Sequence, residues 1–375
     1  MKPFSSHINR LVIKLGTNLL TGKHVFEGQA LERMVKEVCA LKREGVADIL
    51  IVSSGAVGCG MEALSLSKRP ALLPEKQAVA AVGQNRLMHY YETLFRAYGD
   101  GLTTAQVLLT LSDLDSRQNY LNIRNTLSTL FSMGNVVPIV NENDSTATEE
   151  LRFGDNDTLA AKIAAKINAN LLIILTDVAG LYDRNPQQDA DATLIREVTQ
   201  ITQEIEVAAG GAGSVASTGG MRTKLEAARI ATAAGVDCVI ASGQEEQIIH
   251  RILAGEASCT RFKPSKLAMP HRKRWIAFGR ATSGTLHIDD GARNALLYKG
   301  KSLLPAGISK IEGKFEAGAA VRVVDANGQI LARGLTNYGS DAIAAIKGKK
   351  TREIAAALGH KDFDEVIHRD NMALV

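Results

Sequence analysis

Lys14 interrupts the apolar run Leu11–Leu15 near its end, inside VIKLGTN, with Gly16 and Thr17 close behind it. A lysine in an otherwise apolar strand is costly unless its ammonium reaches an open cleft or a counter-ion. Beside a glycine-containing turn whose amides face the same cleft, it suits a phosphate group. A second place of this kind is Thr218-Gly219-Gly220-Met221-Arg222-Thr223-Lys224, where two glycines precede a helix start carrying a hydroxyl and a lysine. It has the makings of a phosphate cradle without matching the Walker A pattern. Ser53-Ser54-Gly55-Ala56 adds hydroxyls and bare amides at another helix start, which suits an anion or a plain N-cap equally.

Two polar clusters flank one long loop. Asn141-Glu142-Asn143-Asp144 closes the run VVPIV, and ten residues later Gly154-Asp155-Asn156-Asp157 opens a helix. Their amides and carboxylates are suited to gripping the ammonium and α-carboxylate of an amino acid. Thr176-Asp177 ends a further apolar run, LLIILT. Together these parts fit γ-phosphoryl transfer, which needs positioning and neutralisation of spreading negative charge by lysines, amides and Mg²⁺. Lys14 and Lys224 would hold the transferring group from different sides, with Asp157 holding both ammonium groups in place. A carboxylate acceptor is already ionised at neutral pH, with a reference pKa near ~4.3 for Glu, so no general base and no catalytic histidine is required.

The elements that must carry these residues alternate. Strands are expected at Leu11–Leu15, Ile49–Ser53, Val136–Val140, Leu171–Thr176 and Val236–Ile240, each nearly continuous in apolar residues, as for parallel strands buried on both faces. Helices are expected between them, among them Gln29–Glu44 and Lys76–Tyr98. This predicts an α/β fold, a doubly wound and mainly parallel sheet, whose ligands sit beyond the carboxyl ends of the strands. The glycines of GAVGCG do not match G-x-G-x-x-G and have no suitably placed acid about 20 residues on, so a dinucleotide fold is rejected.

The pattern breaks at the basic, proline-containing segment RFKPSKLAMPHRKR, residues 261–274. It divides a catalytic domain, 1–260, from a small, mostly β domain with a C-terminal tail, 275–375. In the latter, strands are expected at Trp275–Phe278, Thr285–Ile288, Ala320–Val324 and Ile330–Leu335, and helices at Asp290–Lys299 and Lys350–Leu358. From residue 260 onward there are 20 Lys and Arg against 11 Asp and Glu, whereas the first 259 residues hold 24 against 29. That sign change hints at an anionic partner for the second half. Cys39, Cys59, Cys238 and Cys259 are scattered without a CxxC pair, which argues for reduced, buried thiols rather than a metal site. No apolar run approaches the roughly 18 residues of a membrane span, and the N-terminus lacks a signal-peptide core, so a cytoplasmic protein is expected.

VIKLGTN, SSGA, NEND, GDND, the Thr-Asp pair with GLYDRNP, and STGGMRTK together resemble the amino-acid kinase family, and within it the branch that phosphorylates the γ-carboxylate of free L-glutamate. RKRWIAFG, DDGARNALLYKGKSLLPAGI and NYGSDAI in the second half resemble a PUA domain. The resemblance implies ATP as phosphoryl donor with Mg²⁺, formation of L-glutamyl 5-phosphate as the first step of proline biosynthesis, inhibition by proline, and a homo-oligomer, dimer or tetramer. It implies that Lys14, Lys224 and Asp157 are catalytic and that Ser54, Asp144, Asp155 and Asn156 bind glutamate. Lys14, Thr176, Asp177 and Thr218 to Lys224 (Gly219, Gly220, Met221, Arg222 and Thr223 between them) would form the nucleotide site. Ser217 stands where the family often has glycine, which leaves the shape of that loop open. Sister kinases acting on N-acetylglutamate, aspartate or a nucleotide are the rivals within the family. RNA binding by the basic half is the rival of another class, disfavoured because aromatic residues for base stacking are few there.

Overall fold

The computed structural model describes residues 3–4, 8–20, 28–115, 117–146, 156–186, 189, 191–210, 220–264 and 282–374, within two compact units, Met1–Ala268 and Met269–Val375. In the first unit the chain runs β1 (Arg10–Leu15), α1 (Thr17–Leu20), α2 (Gly28–Arg43), β2 (Asp48–Val52), α3 (Ala56–Ala63) and α4 (Leu73–Tyr98). Then come β3 (Thr103–Leu109), α5 (Leu111–Asp115), α6 (Arg117–Ser132), β4 (Val136–Glu142), α7 (Asn156–Lys166) and β5 (Leu171–Thr176). It ends with β6 (Glu197–Val198), α8 (Gln203–Ala208), α9 (Met221–Ala233), β7 (Asp237–Ser242), α10 (Ile248–Ala254) and β8 (Cys259–Phe262).

The strands form one sheet in the order β3-β4-β2-β1-β5-β7-β8-β6, parallel at every pairing except β7 with β8. The order reverses at β1, which has β2 on one side and β5 on the other. Such a reversal opens a crevice at the strands' carboxyl ends. Successive side chains of a strand point to opposite faces. Leu11, Ile13 and Leu15 accordingly join a core with α2, α4 and α10, while Val12 and Lys14 face the other side, where α7 packs on β1.

In this unit three strands were not anticipated from the sequence. β3 is a sheet edge, exposed or half-buried at every residue but its last, so its pattern TTAQVLL lacks the continuous apolar run of its neighbours. β6 has only two residues, and β8 takes in Arg261 and Phe262, the first residues of the expected linker. The rest of that linker from 265 on lies outside the described residues.

The crossing of α3 and α4 leaves no room for side chains. A Cβ on Gly83 would lie 1.8 Å from the Ala56 carbonyl oxygen and 2.3 Å from the Gly60 nitrogen, both backbone atoms. Gly83→Ala is therefore expected to cost about 3 kcal/mol, the upper end for overpacking, and to lower the melting temperature by roughly 6–12 °C. An unchanged melting temperature would show that the two helices have slack.

The second unit carries β9 (Gly284–Ile288), α11 (Asp290–Lys299), β10 (Ile308–Glu312), β11 (Ala320–Val324), β12 (Ile330–Leu335), α12 (Ser340–Ile346), α13 (Ile354–Leu358) and β13 (Met372–Leu374). Its sheet runs β10-β9-β11-β12-β13, with β9 and β11 parallel and the other pairs antiparallel. Asp289 caps α11 by accepting the Ala292 amide at 2.7 Å. The hairpin from β11 to β12 turns at Gly328, whose φ of 80° suits glycine. β10, β13 and α12 are additions to the sequence reading, and the expected strand Trp275–Phe278 lies outside the described residues. Phe315 and Tyr338 are buried in this unit's core.

All four cysteines are buried and free. Burial pushes the Cys59 thiol up to about 12 and moves Cys39, Cys238 and Cys259 in the same direction, so these thiols stay protonated. Among the described residues no helix is long and apolar enough to cross a membrane.

Candidate active site

β1 ends in the middle of the sheet with Lys14 paired in register to Val52 of β2 and Ile174 of β5. Its side chain is 2% exposed, so the ammonium requires a counter-ion. α7 supplies one. Asp157, the second residue of that helix, is wholly buried, and its Oδ1 lies 2.5 Å from Lys14 Nζ. Its Oδ2 lies 3.2 Å from Lys224 Nζ and accepts the Thr223 hydroxyl at 3.1 Å. Lys224 stands in the first turn of α9, which packs beside α7. A carboxylate in the first turn of α7 is also favoured by the helix dipole. Two buried cations around one carboxylate make this spot attractive to a further anion.

Ser53-Ser54-Gly55 leads from β2 into α3. Gly55 has a φ of 103°, a conformation that lets the chain turn directly into the helix and that a side chain would strain. Ser53 and Ser54 are buried, and the Tyr91 hydroxyl of α4 donates to Ser53 Oγ at 2.8 Å. Asn156, the residue before Asp157, donates its Nδ2 to the Ser53 carbonyl at 2.8 Å, to Ser54 Oγ at 3.0 Å and to Asn141 Oδ1 at 3.1 Å. Asn141 in turn donates to Gln84 Oε1 of α4 at 2.8 Å. The ends of β2 and β4 and the start of α7 are thus tied into one amide network. Asp144 follows on from β4, and burial pushes its carboxyl up to about 6, with Arg69 opposing.

On the β5 side, Thr176 is buried and donates its hydroxyl to Asp177 Oδ1 at 2.9 Å. Asn18 donates to Asp177 Oδ2 at 3.1 Å. Burial raises the Asp177 carboxyl, but these hydrogen bonds and the Lys224 charge outweigh it, and the net direction is down. It is therefore a firm anion at neutral pH. Met221, Arg222 and Thr223 open α9, with Arg222 exposed and Gly220 as the N-cap.

The structure therefore brings Lys14, Asp157, Thr223 and Lys224 into contact, joins Ser54 to Asn156, and joins Thr176 to Asp177. Asp155, Thr218, Gly219 and Ser217 lie outside the described residues. Asn18, Gln84 and Tyr91 complete the hydrogen bonding and were not singled out in the sequence. Asn18 sits in the same VIKLGTN segment as Lys14, whereas Gln84 and Tyr91 belong to a long helix whose polar positions look like ordinary solvated ones.

For Mg²⁺, the donor set is decisive. Among the described residues no group of three or more His, Cys, Asp or Glu side chains is placed to hold a metal. Mg²⁺ usually binds through substrate phosphates with one or two carboxylates. The residues fit a cation that would arrive with a nucleotide, Asp177 being an ionised carboxylate just beyond β5.

Residues 9–242 match the model of the amino acid kinase family, and residues 284–358 that of the PUA domain. The chain is 50% identical over 371 residues to a glutamate 5-kinase of Moorella thermoacetica, covering 99% of this chain and 97% of that one. It is 46% identical over 367 residues to a glutamate 5-kinase of Caldanaerobacter subterraneus subsp. tengcongensis, covering 98% of each. A glutamate 5-kinase of Carboxydothermus hydrogenoformans is 47% identical over 379 residues, with 100% of both chains covered.

Proposed function

This chain belongs to the amino acid kinase family, and from that premise we propose that it transfers the γ-phosphoryl group of ATP to the γ-carboxylate of L-glutamate. The product is L-glutamyl 5-phosphate, and the reaction opens proline biosynthesis. The observation that carries the reading is the buried carboxylate of Asp157, held between Lys14 and Lys224.

A carboxylate oxygen of glutamate attacks the γ-phosphorus. The bond from that phosphorus to the bridging oxygen breaks, and its electrons leave with ADP. Charge spreads over the transferring group, and preorganised donors in a water-poor site stabilise it strongly. Asp157 fixes Lys14 and Lys224 before substrate arrives, so their ammonium groups need no reorganisation at the moment of transfer. Thr176, Asp177 and the α9 start from Gly220 to Lys224, preceded by Thr218 and Gly219, would hold the nucleotide. Mg²⁺ would enter with ATP and neutralise phosphate charge when bound.

Ser54, Asp144, Asp155 and Asn156 would hold glutamate, with Asp144 facing its ammonium. That assignment makes glutamate binding pH-sensitive. Asp144 attracts an ammonium only when ionised, and burial pushes its carboxyl up to about 6. The KM for glutamate is expected to rise about tenfold as pH falls from 7 to 5, with the rise absent in Asp144→Asn. A flat KM across that range would remove Asp144 from the ammonium site.

Proline would act as a feedback inhibitor overlapping the glutamate site, and the protein would work in the cytoplasm as a homo-oligomer, dimer or tetramer. RNA binding by the basic second unit is not favoured. Phe315 and Tyr338 are buried there, which removes two of its aromatic rings from base stacking.

The test is ADP release with ATP, Mg²⁺ and L-glutamate, the acyl phosphate being trapped with hydroxylamine, and with N-acetylglutamate and aspartate run in parallel. Glutamate-dependent hydroxamate with little from the other two is the expected result. Turnover with another acceptor alone would overturn the substrate assignment.

A further inference from the structure

Asn156 Nδ2 is held by three acceptors, while its Oδ1 is buried and has no hydrogen-bond partner among the described residues. A buried, unmet carbonyl oxygen is costly, which points to a donor supplied by a ligand. Which end of an amide is the acceptor is decided by its neighbours, because the two ends have nearly the same shape. Here the neighbours form a chain. Asn141 Oδ1 accepts both Asn156 Nδ2 and the Glu142 amide at 2.9 Å, which turns the Asn141 Nδ2 away towards α4. There Gln84 Oε1 takes it at 2.8 Å. Asn141 is 3% exposed, so without Gln84 this donor would be buried with water largely excluded.

We propose that Gln84 is a positioning residue that locks the Asn141 and Asn156 amides in one polarity, so that Asn156 Oδ1 faces the acceptor substrate as a hydrogen-bond acceptor selecting a free ammonium group. The inference rests on the glutamate kinase reading above and names what makes that site prefer an unblocked amino acid. A charged ammonium gives a charge-assisted bond to this oxygen, roughly twice as strong as a neutral one. An N-acylated acceptor retains one neutral N–H and brings a bulky group to a closed corner. Gln84 sits directly after Gly83, whose close crossing with α3 sets the distance of this part of α4 from α3.

Steady-state kinetics of the full-length enzyme test this with Gln84→Met, which keeps the volume but loses the oxygen, and Gln84→Glu, which keeps an acceptor. Wild-type turnover with L-glutamate is measured first. Its absence would overturn the underlying reading before any variant is compared. Given that turnover, Gln84→Met is expected to raise the KM for glutamate by about five- to twentyfold, with the KM for ATP within about twofold. Gln84→Glu should stay close to wild type. In an Asn141→Ala background, Gln84→Met should add nothing, since the path to Asn156 is already cut. The proposal is overturned if Gln84→Met keeps a wild-type KM for glutamate, or if both KM values rise together with a lowered melting temperature. An undiminished effect in the Asn141→Ala background would likewise overturn it.

Discussion

Lys224→Ala is expected to yield a folded enzyme whose kcat has fallen by about three orders of magnitude. The size follows from removing one preorganised cation from a transferring phosphoryl group, where loss of a single donor costs about 10²–10³. The fold should survive because Asp157 is not abandoned. Its Oδ1 keeps Lys14 at 2.5 Å and its Oδ2 keeps the Thr223 hydroxyl at 3.1 Å. Lys224 also lies in the first turn of α9, where alanine is well tolerated in helical backbone. ADP release under saturating substrates, with a melting curve alongside, checks both halves of the expectation. Near-normal turnover would assign the transition-state charge to another group.

Asp157→Ala should behave differently, losing activity and stability together. Its carboxylate is the shared counter-ion of Lys14 and Lys224, and all three groups are buried. Without it, two ammonium groups face each other in a site from which water is largely excluded. Removing one partner from a buried ion pair typically costs about 3–5 kcal/mol. A drop in melting temperature of roughly 6–20 °C is therefore expected, with turnover at least as low as in Lys224→Ala. A variant that melts like the wild type would mean that the lysines find other anions, and that the triad is not what organises the site. The contrast between the two variants is informative in itself. On the proposed reading Lys224 would act on the reacting group, whereas Asp157 would act through the two lysines it contacts.

Most of the residues gathered in this candidate site stand out in the sequence, for a physical reason. Charged residues such as Lys14 and polar clusters such as Asn141–Asp144 stand out against apolar strands, because burying them is costly without a purpose. The central strands were legible too, since β1, β2, β4, β5 and β7 are buried on both faces and read as unbroken apolar runs. Elements with a solvated face were harder. β3 is exposed or half-buried along most of its length, and β8 has four residues with an arginine among them. Gln84 illustrates the limit best. Its neighbours Ala81, Val82, Asn85 and Arg86 are exposed, so a glutamine there reads as helix surface. Only the fold reveals that Asn141 reaches it from β4. Sequence order cannot show a hydrogen bond between residues 57 positions apart.

The placement of β1 also governs the order in which a newly made chain gains its reactive centre. β1 leaves the ribosome early and can pair with β2 soon afterwards, but its other neighbour, β5, is synthesised about 160 residues later. Asp157 comes shortly before β5, and Lys224 later still. At a translation rate of about 5–20 residues per second, some ~10–40 s separate Lys14 from Lys224. An unfinished chain in that interval still lacks Lys224, the second of the two cations proposed to act on the phosphoryl group. On the roles proposed for Lys14 and Lys224, competence for chemistry would arrive in one late step, when α9 docks against α7.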